Sequence, residues 1–173
     1  KTNTDLGQFT RVTMFGGQGF TDIDPVIDEI RIGDTYRDVS EGQYFLDRFD
    51  TVSFAGDDGT LSWTNDWQEI GEPGGAAGPV NGEVKVVSVL GEQVVQVADD
   101  GLGLWREADL TGAATALLEF DYARINLDAA GDAVIVEISM DGGGVWSELT
   151  RFEGPANDAN YLSFSTDISE YID

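Results

Sequence analysis

The feature of this sequence that most constrains its fold is a two-residue alternation of apolar and polar side chains in short runs. The clearest run is residues 132–140, where Val134, Val136 and Ile138 alternate with polar residues such as Glu137. This period is typical of β-strands, and 22 glycines between the runs indicate turns. The pattern therefore predicts an all-β fold, and the spacing of the strands favours an antiparallel jelly-roll β-sandwich.

The same pattern locates the other strands. Residues 84–90 and 92–98 are predicted to form a hairpin with Gly91 in the turn. Residues 57–80 are rich in glycine and proline and are predicted to be a loop. The remaining predicted strands cover residues 9–15, 25–33, 44–54, 115–124, 145–152 and 161–172.

The charge balance is strongly acidic, with 33 acidic residues against nine basic ones and a net charge of −24. Such a surface repels phosphate backbones and anionic lipids, so nucleic acid is not an expected partner. No uninterrupted apolar run is long enough to span a membrane. The acidity is compatible with multivalent cation binding, a high-salt setting or simple solubility.

The chain contains no cysteine and no histidine. Disulfides, thiolate nucleophiles and the Ser-His-Asp triad are therefore excluded. Carboxylates remain as catalytic groups, but the ExDxxE pattern of concanavalin-like glycosidases is absent, because Glu119 and Asp121 have no third partner. We therefore expect that the protein is not an enzyme.

Residues 49–171 resemble a known family. The segments FDTVSFAGDDGTLSWTNDWQEIGE, WREADLTGAATALLEFDYARINLDAAGDAVIVEISMDGGGVWSELTRFEGP and SFSTDISEYI are similar to MAM-like and concanavalin-like jelly-roll modules of large bacterial secreted or cell-surface proteins. The resemblance implies a jelly-roll domain over residues 41–173 and a secreted or cell-surface location. It also implies a structural or adhesive role, with a carbohydrate-binding module as the alternative.

The segment IDEIRIGDTYRDV resembles the C-terminal strands of a laminin-G-like domain. Residues 1–40 are accordingly interpreted as two closing strands plus a linker. The strands at 9–15 and 26–32 could close their own sandwich, complete that of a neighbouring copy and so build a filament, or belong to a preceding module.

A calcium site is expected at Asp28 and Asp50. Asp28 is in phase with Val26, Ile30 and Ile32, and a carboxylate directed toward an apolar face needs a cation or several donors. The MAM-like resemblance implies calcium between an early-strand and a late-strand acid, which match Asp50 and Asp28. The alternative is an aspartate that caps backbone amides. Two further candidate ligands lie in a glycine-bearing loop, Asp57 and Asp58.

Two further motifs suggest binding or structural roles. Trp63 and Trp67 lie in the predicted loop and are candidates for stacking on a polysaccharide, although most aromatic residues here are expected in the core. The segment SMDGGGVW fits an Asp-box turn. In such a turn the aspartate accepts hydrogen bonds from turn amides, so we assign a structural role to Ser139, Asp141, Gly143 and Trp146.

Overall fold

The computed structural model describes residues 10–16, 26–33, 42–74 and 77–172. Within them the chain forms strands and a short 3₁₀ helix at Ser169–Tyr171. The strands are β1 (Thr10–Gly16), β2 (Val26–Gly33), β3 (Tyr44–Asp47), β4 (Gln68–Ile70), β5 (Val84–Val89), β6 (Glu92–Val97), β7 (Gly103–Ala108), β8 (Leu117–Ala123), β9 (Ala133–Ser139), β10 (Ser147–Glu153) and β11 (Leu162–Asp167). The all-β prediction is confirmed.

The strands form two antiparallel sheets. Sheet A has the order β10-β9-β1-β7-β4, and sheet B has the order β11-β8-β2-β6-β5, with β3 added beside β2. Strand β1 pairs with β9 on one side and with β7 on the other. Strand β2 pairs with β8 on one side and with β6 and β3 on the other. Both sheets therefore contain strands from before and after residue 41. Phe9, the first residue of the predicted strand at 9–15, lies outside the described residues.

The main hydrophobic core lies between the sheets. Val12 of β1, Ile27 of β2 and Val136 of β9 are buried there, together with Phe45 and Phe49 from the β3 region. Full burial of a large aliphatic or aromatic side chain contributes roughly 1.5–3 kcal/mol, so this core is the main source of stability. A smaller cluster, in which Val26, Val94 and Ala123 are buried, forms separately.

Two predictions for residues 44–80, one of a strand and one of a loop, differ from the structure. The predicted strand at 44–54 stops at Asp47, because Phe49 adopts a left-handed φ of 51° that an extended strand does not allow. The chain then returns along β3, where the amide of Asp58 donates to the carbonyl of Leu46. The predicted loop at 57–80 contains the short strand β4, which pairs with β7.

Across the described segments no helix is long and apolar enough to cross a membrane.

Candidate functional site

A break in the register of β2 positions Asp28. The pairing of β2 with β8 shifts between Asp28 and Arg31, and Glu29 adopts a positive φ of 45°. Before the shift Ile27 points into the main core, and after it Ile30 does so. The prediction that Asp28 shares a face with Ile30 is therefore wrong: the bulge inserts a residue and reverses the alternation.

Asp28 instead lies in a cleft of about 360 Å³. The cleft joins β2 to the turn between β5 and β6 and to the segment that follows β3. Its lining residues are Asp28, Glu29, Arg48, Asp50, Gly91, Glu92 and Gln93, and we call it the acidic cleft. The structure thus brings together Asp28 and Asp50, which are distant in sequence.

Carboxylates crowd Asp28 in this cleft. Burial is the largest cause that raises the pKa of Asp28 from 3.8 to about 6, and the charges of Glu29, Glu92 and Asp121 add to it. Asp121 lies directly opposite Asp28 on β8. A backbone hydrogen bond from Glu29 opposes the rise only in part. Asp28 is therefore a half-buried carboxylate in a negative environment.

The oxygen atoms that line the acidic cleft are of the type that hard cations such as calcium bind. Asp28, Asp50 and Glu92 offer carboxylate oxygens, Gln93 offers an amide oxygen, and calcium takes six to eight such ligands. Within the described segments, however, no three acidic side chains are already gathered into a metal-binding group. Asp50 is exposed, whereas Asp28 is half-buried.

The other two predicted ligands lie elsewhere in the fold. The Asp58 carboxylate accepts a hydrogen bond of 3.1 Å from the backbone amide of Arg48. Asp58 thus links the segment that returns along β3 to the residue that follows the end of that strand. Asp57 is exposed and contributes to the negative field around Arg106. Neither residue lines the acidic cleft.

Trp63 and Trp67 are buried, with 8% and 3% of their surface exposed. The prediction that they form an exposed sugar-stacking surface is therefore wrong. Each indole N–H donates to the β3 region, Trp63 to the carbonyl of Leu46 at 3.2 Å and Trp67 to the carboxylate of Asp47 at 3.0 Å. The ring of Trp63 packs 5.3 Å from that of Phe45, centroid to centroid, so both indoles belong to the core.

Sequence reasoning missed the polar centre of this region, a buried ion pair between Asp47 and Arg106. The two side chains are 1% and 2% exposed, and their nearest charged atoms lie 2.8 Å apart. Arg106 also donates to the carbonyls of Asn65 and Gly56, each at 2.7 Å. Its guanidinium lies 4.7 Å from the ring centroid of Trp63.

Burial raises the pKa of Asp47 and lowers that of Arg106, and the contacts between them oppose both changes. An arginine stays protonated in proteins, so the charge of Arg106 favours the ionised form of Asp47. All of the pair's partners are internal, which makes it a structural group. The sequence did contain a signal for this pair. Arg106 is two residues from both Leu104 and Ala108, so it lies on the same face of β7, and all three are buried.

The Asp-box segment forms a hydrogen-bonded turn between β9 and β10. The Asp141 carboxylate accepts hydrogen bonds of 2.8 Å from the amides of Gly144 and Val145 and from the Ser139 hydroxyl. The amide of Gly143 donates to that hydroxyl at 2.9 Å. These bonds lower the pKa of Asp141, led by the one from Val145. Trp146, the last residue of the motif, is half-buried.

A second depression crosses β11, β8 and β2 of sheet B and has a volume of about 530 Å³. We call it the sheet B groove. It is lined by Glu29, Arg31, Glu119, Phe120, Asp121, Ser163, Phe164 and Ser165. Arg31 forms an ion pair with Glu29 within it. The groove and the acidic cleft share Glu29, so the two depressions adjoin.

Comparison with known proteins gives no relatives from which a function can be transferred: no family model, curated protein or solved structure matches the chain.

Proposed function

We propose that this chain is a non-catalytic, extracellular β-sandwich module of a bacterial secreted or cell-surface protein, with a structural or adhesive role. We further propose that a calcium ion stabilises it. The observation that carries the proposal is the acidic cleft, in which Asp28 of β2 and Asp50 after β3 line one space together with Glu92. The motif resemblance described above supports the location and the jelly-roll class.

Calcium would be held by Asp28, Asp50, Glu92 and the amide oxygen of Gln93. The ion would offset the mutual repulsion of the carboxylates in the cleft, which Arg48 also lines. Because Asp28 is half-buried and Asp50 is exposed, Asp50 makes the larger movement. Binding would tie the segment after β3 to the centre of sheet B.

The connections between the sheets support the jelly-roll class. The chain passes from sheet A to sheet B between β1 and β2, β4 and β5, β7 and β8, and β10 and β11. It returns from sheet B to sheet A between β3 and β4, β6 and β7, and β8 and β9. Repeated crossing between two antiparallel sheets is typical of jelly rolls, whereas meanders stay within one sheet.

Assembly through β1 and β2 would require strand exchange. Each of these strands has hydrogen-bonded neighbours on both sides within its own chain. Either strand could therefore complete a neighbouring copy only by leaving its own sheet. We accordingly propose that the structural role does not depend on donation of these two strands.

The test of the calcium proposal is thermal unfolding at constant ionic strength, with chelator and with increasing calcium. A ligand that binds only the folded state raises the midpoint in a saturable manner. We expect this rise in the unmodified chain and its loss in Asp28→Asn and Asp50→Asn. The control is Asp100→Asn, an exposed loop carboxylate outside the cleft, which should keep the full response. An unfolding midpoint that does not change with calcium would refute the proposal.

A carbohydrate-binding role is the second candidate, and the sheet B groove favours it. Carboxylates, an arginine and serine hydroxyls there are groups that bond sugar hydroxyls. Binding of a soluble polysaccharide, measured by affinity electrophoresis, should weaken in Glu119→Gln and stay unchanged in Ser88→Ala on β5. Equal binding by both variants would exclude the groove as the binding surface.

A further inference from the structure

Within the described segments, β10 and β4 lie at the ends of sheet A and β11 and β5 at the ends of sheet B, while residues 58–61 cover the open side of β3. Three of these four end strands carry features that discourage pairing with another chain. In sheet A, β4 has only three residues, and β10 has a register break between Glu148 and Thr150 together with charged residues. In sheet B, β5 carries Lys85. Short length, bulges and charges, lysine above all, are the usual protections of a sheet edge.

The fourth edge, β11, has none of these protections. Its six residues, Leu162–Asp167, pair with β8 at every position without a break. Its only charged residue is Asp167, at its end. Leu162 is 40% exposed, and among the described segments no strand pairs with the outer side of β11. In a chain of net charge −24, the five residues before Asp167 form an uncharged stripe along this edge.

The charge distribution indicates which partner fits this stripe. A cationic partner would be drawn to the carboxylates of the acidic cleft and the sheet B groove, where its charges are matched. A second copy of the chain carries the same net charge of −24, so most of its surface is repelled. Two copies can approach most closely where charge is sparse. β11 carries only Asp167, and the carboxylates opposite Ser163 and Ser165 lie one strand further in, on β8.

We propose that β11 pairs with β11 of a second copy, antiparallel and about a two-fold axis, so that the two B sheets become one continuous sheet. A two-fold axis perpendicular to the sheet keeps each side chain on its own face, so the register is symmetric about one residue. Centred on Phe164, it places Leu162 opposite Thr166 and Ser163 opposite Ser165, with Phe164 facing its own copy. None of these pairs contains a charge, and aromatic and hydroxyl pairs stabilise antiparallel strands.

This proposal goes beyond the calcium-stabilised module and does not depend on the acidic cleft. It predicts a distinct dependence on salt. The remaining charges of the two copies repel each other, and salt screens that repulsion. Self-association should therefore strengthen as sodium chloride is raised from about 0.05 M to about 1 M. Running the experiment in chelator keeps its outcome separate from that of the calcium test.

The experiment is sedimentation equilibrium of the unmodified chain and two variants across this salt range. The edge variant combines Ser163→Lys with Ser165→Lys, which places lysines opposite one another in the proposed pairing. The control combines Ser88→Lys with Asn81→Lys, two exposed positions in and near β5. Both variants reduce the net negative charge equally, so general repulsion falls by the same amount in each.

We expect the association constant of the edge variant to fall at least about tenfold, a change of about 1.4 kcal/mol, while the control associates at least as well as the unmodified chain. Amide hydrogen exchange of the unmodified chain gives a readout that needs no substitution. Amides of β11 should become more protected as protein concentration rises. A chain that stays monomeric at high salt, equal association of the two variants, or protection independent of concentration would each overturn the proposal.

Discussion

At the scale of single residues, the structure depends on a charge pair that the core encloses. Asp47 ends β3 and Arg106 lies in β7, so their contact joins the two sheets. Asp47 also accepts the amide of Phe49 at 2.9 Å, which supports the left-handed turn where β3 ends. Gly56 packs against this carboxylate so closely that an added Cβ would lie 2.2 Å from an Asp47 oxygen.

Asp47→Asn should reduce the free energy of unfolding by about 3–5 kcal/mol, because it leaves Arg106 buried without its counter-charge. The matched control is Glu148→Gln, which removes one partner of the exposed Arg151–Glu148 pair. That change should cost much less than Asp47→Asn, since solvent screens an exposed pair. Urea denaturation measures both. Similar losses of unfolding free energy in the two variants would show that the buried Asp47–Arg106 pair stabilises the fold no more than the exposed pair does.

Single-residue environments were the least predictable part of the chain. Sequence spacing placed Trp63 and Trp67 in a loop but could not show that this loop folds over Arg106. Nor could it show the bulge at Glu29 that turns Asp28 away from the main core. Each depends on a long-range partner. The Asp-box turn is the opposite case, because its hydrogen bonds join residues at most four positions apart.

At the scale of elements, strong alternation predicted strands well. The hairpin was predicted at 84–90 and 92–98, and β5 and β6 occupy Val84–Val89 and Glu92–Val97, with Gly91 at a positive φ of 96° in the turn. Strand β9 buries Val134, Val136 and Ile138 on its core face, as their alternation indicates. The short strand β4 escaped prediction because three residues carry no measurable period.

The contact between β8 and the loop before β11 should make the stability of the fold depend on pH. The loop before β11 is held to the end of β8 by Arg124, whose Nε and backbone amide both donate to one carboxylate oxygen of Asp158, at 2.9 and 2.8 Å. The hydrogen bond from the Arg124 side chain is the main cause that lowers the pKa of Asp158 below 3.8. A carboxyl group with a depressed folded-state pKa stabilises the fold above its unfolded pKa, and the benefit disappears as pH falls through the folded value.

Asp158→Asn should therefore lower the free energy of unfolding by about 1–2 kcal/mol near neutral pH. The difference from the unmodified chain should stay constant between about pH 5 and pH 8 and shrink below about pH 4. Urea denaturation across this range measures it. A difference that grows on acidification would contradict the assigned direction of the pKa shift.

At the scale of the whole molecule, the first two strands occupy central positions. β1 lies between β7 and β9, and β2 lies between β8 and the strands β3 and β6. The sequence indicated that these strands close a sandwich and left open which one. Local patterns cannot resolve such a choice, because strand pairing between distant segments depends on the whole chain. The net charge of −24 adds self-repulsion that the core must outweigh.

Removal of residues 1–40 should abolish cooperative folding, because it takes a central strand out of each sheet and exposes core residues such as Val136 and Leu118. Circular dichroism and thermal unfolding of the truncated chain measure this. The shortened chain should show no sharp transition. A truncated chain that melts cooperatively at the midpoint of the full chain would contradict the central placement of β1 and β2.

The central functional claim is that the acidic cleft binds calcium, and the most direct measurement is a calcium titration followed by the side-chain carboxyl ¹³C signals. The chain has 33 acidic residues, so diffuse counter-ion attraction must be distinguished from a site. At constant ionic strength, we expect saturable shifts at Asp28, Asp50 and Glu92 with no comparable change at Asp57 or Asp58. Equal small shifts at all carboxylates, or none at Asp28, would contradict it.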